Sequence, residues 1–527
     1  MRFVYDLRSE WNSDQTDKNP CTWSTRMYRK DNPNQLTFQD FYLPFGGHLR
    51  GDNRWIILSE QIPWCQIEEA YGEQFSEDNG CPAKSARMAF GALIIKERLG
   101  ISDRETVEQI CENPYLQCFL GLMEYQDTPP FDDSMMTHFR KRFDKDMLKD
   151  INESIVDGAM APNNKNRGVE TDSNKDESSN DNENHQPSHK GKMIVDATCT
   201  PADIAYPTDL SLVNEAREKS EEIIDAMHAP FVGVRKKPRT YRQKARKAYL
   251  AVAKQKKPGY KKIRKAIGQQ LRYLRRNLQS IDRMSEEGLL KLLGRRRYRL
   301  LLVIKELYRQ QLWMYENRTH SIADRIVSLY QPHVRPIVRG KAKSSVEFGA
   351  KVSISLVDGF SFVERIGWDA YNESCDLIEQ IEGYHKRFGF YPESVHADKI
   401  YRTRENRRYC KDKGIRLSGP PLGRPNADSK LLKEQKKLQR QDEIDRIAVE
   451  GKFGQGKRRF SLARVMMKLA QTSEVSIMIT FIVMNLEKIL TGVLSFLLFV
   501  WRWLSARLQR TDLRYENPIM ADLTAAA

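Results

Sequence analysis

Between Phe231 and Leu300 the chain carries 24 Lys and Arg against three acids, Asp282, Glu286 and Glu287. That segment's +21 exceeds the +17 of all 527 residues, so the remainder is net −4. No apolar core accepts such a stretch, because a buried unpaired charge costs far more than its neighbours gain by burial. The few apolar residues inside it say how it folds. Tyr260, Ile263, Ile267, Leu271, Leu274 and Leu278 step by three and four, a helical seam. A second apolar-faced helix is expected from Leu289 to Met314. The two would pack as a hairpin with Lys and Arg outward. Like charges at helical spacing repel one another, so so one-sided a surface implies a polyanionic partner, nucleic acid first and an anionic membrane surface second.

At about 150 residues per domain the length allows roughly three or four domains, and no disulfide or metal staple is needed for size. The eight cysteines form no CxxC pair and no zinc-like Cys/His cluster, which fits free thiols in a reducing cytoplasm. Met1 to Pro20 is charged throughout and has no apolar run of the secretory kind. Near the other end, Val475 to Leu486 and Ile489 to Trp501 are uncharged for twelve and thirteen residues, parted by Glu487 and Lys488. Each is shorter than the ~18 residues that span a bilayer, so two buried core helices are expected and no membrane partner.

Residues 1–80 read as irregular, with scattered aromatics, Pro and Gly. Residues 81–160 read as helical. Ser102 to Glu105 has the form of a capping box, Asn113-Pro114 and Pro129-Pro130 break the pattern, and a last helix carries His138, Arg140, Lys141 and Arg142. Short helices ending in a basic one suggest a helix-turn-helix arrangement. Residues 162–191, rich in Asn, Ser, Asp, Glu and Lys, cannot offset ordering entropy by burial and are expected to be a disordered linker.

Beyond the linker the period changes to two. Met193 to Thr198 is a short strand bearing Asp196. Val352 to Val357 and Phe360 to Ile366 form a hairpin turning at Asp358-Gly359. A helix follows over 374–388, then a strand ending at Asp398, a strand at Ile415 to Leu417, and a long charged helix from Asp428 past Val449. This is a mixed α/β order. It assigns 192–213 and 341–487 to one domain, 214–340 to a basic helical insertion, and 488–527 to an apolar helix and tail. Asp203 and Asp209, beyond Pro201 and Pro207, are read as loop residues, and His396 as a packed histidine.

Asp196 and Asp398 each end a short apolar run, and Glu450 lies on the long helix one turn after Arg446. Three carboxylates from two strands and a helix suit hard divalent cations in two-metal phosphoryl transfer. Here the chain resembles the DDE transposases of bacterial insertion sequences. MIVDATCTPADIAYPTD at 193–209 is similar to their first-Asp motif and VHADKIYRTRENRRYC at 395–410 to their second. Arg446, Glu450 and Lys457 match the R-x3-E-x6-K core of the third, although Glu443 stands where the family has Tyr, and the Gly of Asp-x-Gly-Tyr is absent from Asp398-Lys399-Ile400-Tyr401. LGISDRETVEQICENPYLQCFLGL and PPFDDSMMTHFRKRF, within 85–143, resemble the family's helical amino-terminal domain.

The resemblance implies a ribonuclease-H-like mixed-sheet catalytic domain, interrupted after its first strand by the basic helical insertion and preceded by an all-α domain. It implies that Asp196, Asp398 and Glu450 ligate two Mg²⁺ (or Mn²⁺) and that Arg446, Lys457 and Arg458 hold phosphates. Arg140 and Arg142 on the amino-terminal helix, and Arg242, Lys261 and Arg264 in the insertion, are the further DNA contacts expected. The implied partner is double-stranded DNA, transposon ends and target, bound by a homodimer or higher oligomer in a bacterial or archaeal cytoplasm at the nucleoid. A DNA-binding relative without catalysis, or a nuclease of the same fold, are the alternatives.

Overall fold

A computed structural model describes residues 38–44, 47–75, 82–165, 189–338, 346–420 and 429–515. Helices α1 (Arg54–Glu60) and α2 (Trp64–Gly72) lie where the sequence reads as irregular. They are too short to show a period, and their order comes from burial of Trp55, Leu58, Ile67 and Tyr71. Helix α3 (Ala86–Leu99) is capped by Ser85 and ends at Gly100, whose φ of 69° is left-handed. Helix α4 (Asp103–Glu112) starts as expected, with Ser102 Oγ accepting from Glu105 N at 3.1 Å. Such a cap contributes about 1 kcal/mol. Helices α5 (Pro114–Phe119), α6 (Met135–Arg142) and α7 (Lys145–Lys165) follow. The expected linker lies, over 166–188, outside the described residues.

The sheet is built on strand β1 (Lys192–Pro201). Helices α8 (Asp209–His228), α9 (Arg242–Ala253), α10 (Tyr260–Glu286) and α11 (Arg295–Glu316) then intervene. The chain returns through β2 (Arg335–Val338), β3 (Val346–Val357) and β4 (Phe360–Gly367), helix α12 (Leu377–Phe388), β5 (Ser394–His396), α13 (Arg404–Asp412) and β6 (Arg416–Leu417). Helices α14 (Ser429–Arg459) and α15 (Ala470–Tyr515) close the order. β1 runs antiparallel to β3 and parallel to β5, and β5 runs parallel to β6. β4 and β2 both pair antiparallel with the far side of β3. β2 therefore belongs to the sheet, although the sequence reading had put residues 335–338 in the insertion.

Two positions need glycine. Asp358 and Gly359 have φ of 47° and 77°, the left-handed pair that a tight two-residue hairpin demands. At Gly349, opposite Pro201, a Cβ would stand 2.1 Å from Thr200 O, so only glycine lets β1 and β3 approach there.

One continuous core runs from Trp55 through the sheet to Leu490. Its spine is α15, which buries Val475, Ile479, Ile482, Val483 and Leu486. Each such side chain gives roughly 1.5–3 kcal/mol on burial. Asn485 ties the layers together: its amide donates to Asn152 Oδ1 and Ser361 O, both at 2.8 Å, and its Oδ1 accepts from Ser361 N at 2.9 Å. The two helices expected at 475–486 and 489–501 are a single helix. Glu487 does not break it, because Arg98 and Arg459 pair with its carboxylate at 2.5 and 2.8 Å. Ala470–Ser495 is long and apolar enough to cross a membrane, but 72% of that apolar stretch is buried inside the molecule, the position of a core helix.

The insertion has its own core, from Leu210 to Leu329. It is more than the hairpin expected: α8 packs against both α10 and α11. Asp209 is consequently not a loop residue. It is the first residue of α8, behind the Thr208 cap, and it accepts from Arg325 at 2.8 Å and Gln311 at 3.2 Å and pairs with His320 at 2.7 Å.

Candidate active site

Strand register brings the two aspartates together. Ile194 pairs with His396 across β1 and β5. Two residues on from each stand Asp196 and Asp398, near enough that the Asp398 charge adds to the rise in the Asp196 pKa. β5 has ended by then, and Asp398 caps a short turn at Lys399–Tyr401, accepting from Lys399 N at 2.6 Å. Asp196 Oδ1 accepts from Ala197 N at 2.8 Å.

The third carboxylate arrives on α14, which is fastened across the same strands. Arg416 of β6 makes two bonds to Asp442, at 2.8 and 2.9 Å, and Lys192 of β1 pairs with Asp445 at 2.8 Å. One turn beyond Asp442, Arg446 reaches both exposed acids: Nη1 donates to Asp398 Oδ1 and Nη2 to Glu450 Oε1, each at 3.3 Å. Its Nε is buried and makes no hydrogen bond among the described residues. Asp398 and Glu450 are 51% and 60% exposed, open to a large substrate. Asp196 is set deeper. Burial pushes its carboxyl up to about 6; Ala197 N–H and Arg446 oppose this, and the charges of Glu373 and Asp398 add to it.

Among the described residues no three His, Cys, Asp or Glu side chains stand together as a ready metal cage. The donor set still fits a hard cation. All three groups offer carboxylate oxygen, the preferred ligand of Mg²⁺ and Mn²⁺, and Asp398 and Glu450 already converge on one positive charge.

His396 is a packed residue, as expected. It is buried, its Nε2 lies 3.0 Å from Ser394 Oγ, and burial holds its pKa below the usual imidazole value. Two site residues escape the sequence reading. Glu373, paired with Lys351 at 3.6 Å, sits near enough to Asp196 to raise its pKa. Tyr401 is buried beneath the site, and burial and the charges of Glu373 and Asp196 raise its pKa. Glu373 follows a loop after β4 and carries no strand-end signal. Tyr401 was visible only as the last residue of Asp398-Lys399-Ile400-Tyr401.

The DNA contacts expected from sequence divide. Arg140 is a correction: it is 3% exposed and both its terminal nitrogens bond Asp103, Nη1 at 2.9 Å, so it staples α6 to α4 and does not face solvent. Arg142 donates to Tyr71 OH at 3.0 Å and lies over the Phe75 ring. The outward positions of α6 are Thr137, His138 and Lys141. In the insertion Arg242 pairs with Asp225 and Glu221, at 2.8 and 3.3 Å, and Arg264 stacks on Tyr315 at 4.3 Å. Lys261 is exposed, as are Lys262 and Lys265 beside it, and none of the three is in an ion pair among the described residues. Lys457 and Arg458 close α14, two turns beyond Glu450; Lys457 is half-buried and Arg458 exposed.

Two families match the chain. The one described as Transposase DDE domain covers residues 395–487, which hold Asp398, Arg446, Glu450 and Lys457 but not Asp196. The one described as Transposase domain (DUF772) covers 45–142, from before α1 to the end of α6. A Rhizobium meliloti protein described as uncharacterized protein ORF8 in the nfe locus is 31% identical over 161 residues, 31% of this chain and 68% of that protein. No solved structure matches the chain. The helical amino-terminal region and the carboxylate-bearing region thus match transposase families independently and in the order the sequence motifs require, and the chain belongs to the DDE transposases of insertion sequences.

Proposed function

We propose that this transposase cuts and joins DNA at Asp196, Asp398 and Glu450, on a ribonuclease-H-like sheet, with two divalent metal ions, Mg²⁺ or Mn²⁺. The observation that carries the reading is the convergence just described: the Ile194–His396 pairing leads two residues on to Asp196 and Asp398, and Arg446 joins Asp398 to Glu450. The sheet supports it, with β4, β3 and β1 antiparallel and β5 and β6 continuing in parallel beyond β1. Bound ions would supply Lewis-acid stabilisation of the attacking and leaving oxygens. The chain's own groups hold the rest. The carboxylates fix the donor oxygens, and Lys457 and Arg458 draw the phosphate backbone along α14. A strand-transfer assay with the element's paired ends tests this. Joined products are expected in Mg²⁺. Cutting without joining identifies a nuclease, and binding without cutting an inactive relative.

We further propose two bodies: the amino-terminal helices together with the sheet and α12–α15, which share one core, and the insertion, which has its own. The separate core of the insertion and its basic exterior support duplex binding there with little sequence preference, since phosphate contacts position a protein while base edges specify it. Replacing Lys261, Lys262 and Lys265 by Gln should flatten the log–log salt dependence of duplex affinity by about 0.9 per lost contact. Replacing Arg235 and Lys237, which pair with Glu287 and Asp225, should move it less. Fluorescence anisotropy over a salt series reads both. An unchanged slope after the three lysine changes would turn this face toward solvent or protein.

A further inference from the structure

The guanidinium of Arg446 lies between two groups that a metal ion needs. Nη1 holds Asp398 and Nη2 holds Glu450, while Nε is buried and has no hydrogen bond among the described residues. A carboxylate oxygen engaged by a guanidinium is less available to a hard cation, and the fixed positive charge repels that cation as well. Arg446 cannot leave by moving its backbone, because Asp442 and Asp445, on the turn before it, are tied to Arg416 and Lys192. It can leave only by turning its side chain. Its planar fork matches a phosphate as well as a carboxylate, and its unused Nε–H is a donor that a phosphate oxygen could satisfy.

We propose that Arg446 is a positioning residue that reserves the Asp398 and Glu450 oxygens in the free protein and releases them when a DNA phosphate takes its guanidinium, so that DNA binding loads the metal site. This rests on the reading of Asp398 and Glu450 as metal ligands. Its consequence is reciprocal coupling: DNA raises metal affinity by the same factor as metal raises DNA affinity. A transposase built in this way holds its cutting site unloaded until an end is bound.

The test titrates the full-length protein with Mn²⁺ calorimetrically, with and without a short duplex. Wild type should bind Mn²⁺ about tenfold more tightly with the duplex than without it, a coupling of the usual size. Arg446→Gln should bind Mn²⁺ more tightly than wild type in the absence of DNA and gain little more from the duplex. Arg446→Lys keeps the charge but, as a point donor, cannot bridge both acids; it should fall between the two. The proposal is overturned if Arg446→Gln binds Mn²⁺ no more tightly than wild type without DNA. It is equally overturned if Arg446→Lys matches wild type, since charge alone then accounts for the effect. Glu450→Gln separates this from the underlying reading: if it leaves Mn²⁺ binding on the duplex intact, Glu450 is no ligand and the active-site assignment itself fails.

Discussion

Asp196→Asn is expected to abolish strand cleavage and at the same time to stabilise the metal-free protein. Losing a metal ligand removes Lewis-acid stabilisation worth several kcal/mol, a fall of about a thousandfold or more in rate. The stability gain has a separate cause. Burial first, with Glu373 and Asp398 adding, lifts the Asp196 pKa from 3.8 to about 6 in the fold. A raised carboxyl pKa means that the folded state prefers the neutral acid. Asp196 is thus harmless below its unfolded value and becomes a growing cost as pH rises through 6. At pH 8 that cost is about 2–3 kcal/mol, and the neutral amide avoids it while its Oδ1 can still accept from Ala197 N. Thermal unfolding in EDTA should show the variant ahead at pH 8 and level with wild type at pH 4. Excess Mg²⁺ should close or reverse the gap, because only wild type gains from binding the ion. Near-wild-type nicking by the variant would remove Asp196 from the site. Equal stability at pH 8 would mean that the carboxyl is better solvated than its depth implies.

The same burial explains which parts of this site are legible in sequence. Asp196 and Asp398 were visible because a period-two apolar run that stops at an acid is a local pattern. Glu450 was visible because Arg446, Glu450 and Lys457 share a helix at readable spacing. What brings them together is not local: the Ile194–His396 register spans 202 positions, and the ties from α14 to Lys192 and Arg416 join three elements. Glu373 had no pattern at all, since its nearness to Asp196 is a product of how the chain leaves β4. Arg140 shows the opposite failure. Its place in a basic run suggested a surface, yet Asp103, 37 residues earlier, claims it. Composition reports the sum of charge and not its pairing. The insertion was easier in one respect: its excess of charge is so large that the few acids present cannot pair it away. Its first helix, α8, was missed because Pro201 and Pro207 made residues 203–209 look like loop, while Thr208 is in fact a helix cap.

The insertion's stability should hinge on one buried ion pair. Arg217 is fully buried in α8, where Nη1 donates to Glu221 at 2.6 Å, Nε to Gln270 of α10 at 3.0 Å, and Nη2 to Asn214 and Glu218 at 2.8 and 2.9 Å. Arg217→Met leaves a buried Glu221 with Arg242, at 3.3 Å, as its one remaining ion-pair partner among the described residues, and takes from Gln270 Oε1 and Asn214 Oδ1 the donor that Arg217 supplies. Breaking a buried pair in this way costs about 3–5 kcal/mol. Replacing both partners, Arg217→Met with Glu221→Leu, should recover much of it, because no charge is then stranded. The pH dependence has a definite sign. Burial already raises the Glu221 pKa against the pull of Arg217. Without the arginine it rises further, so the single variant's deficit should shrink as pH falls and the carboxyl takes up a proton. Hydrogen exchange by mass spectrometry locates the effect. Because the Leu210–Leu329 core is separate from the one around the sheet, amides of α8, α10 and α11 should exchange faster while those of β1, β3 and α15 keep their protection. Uniform acceleration across both would make the two cores one cooperative unit. It would also remove the structural ground for treating the basic bundle as a DNA-binding body in its own right.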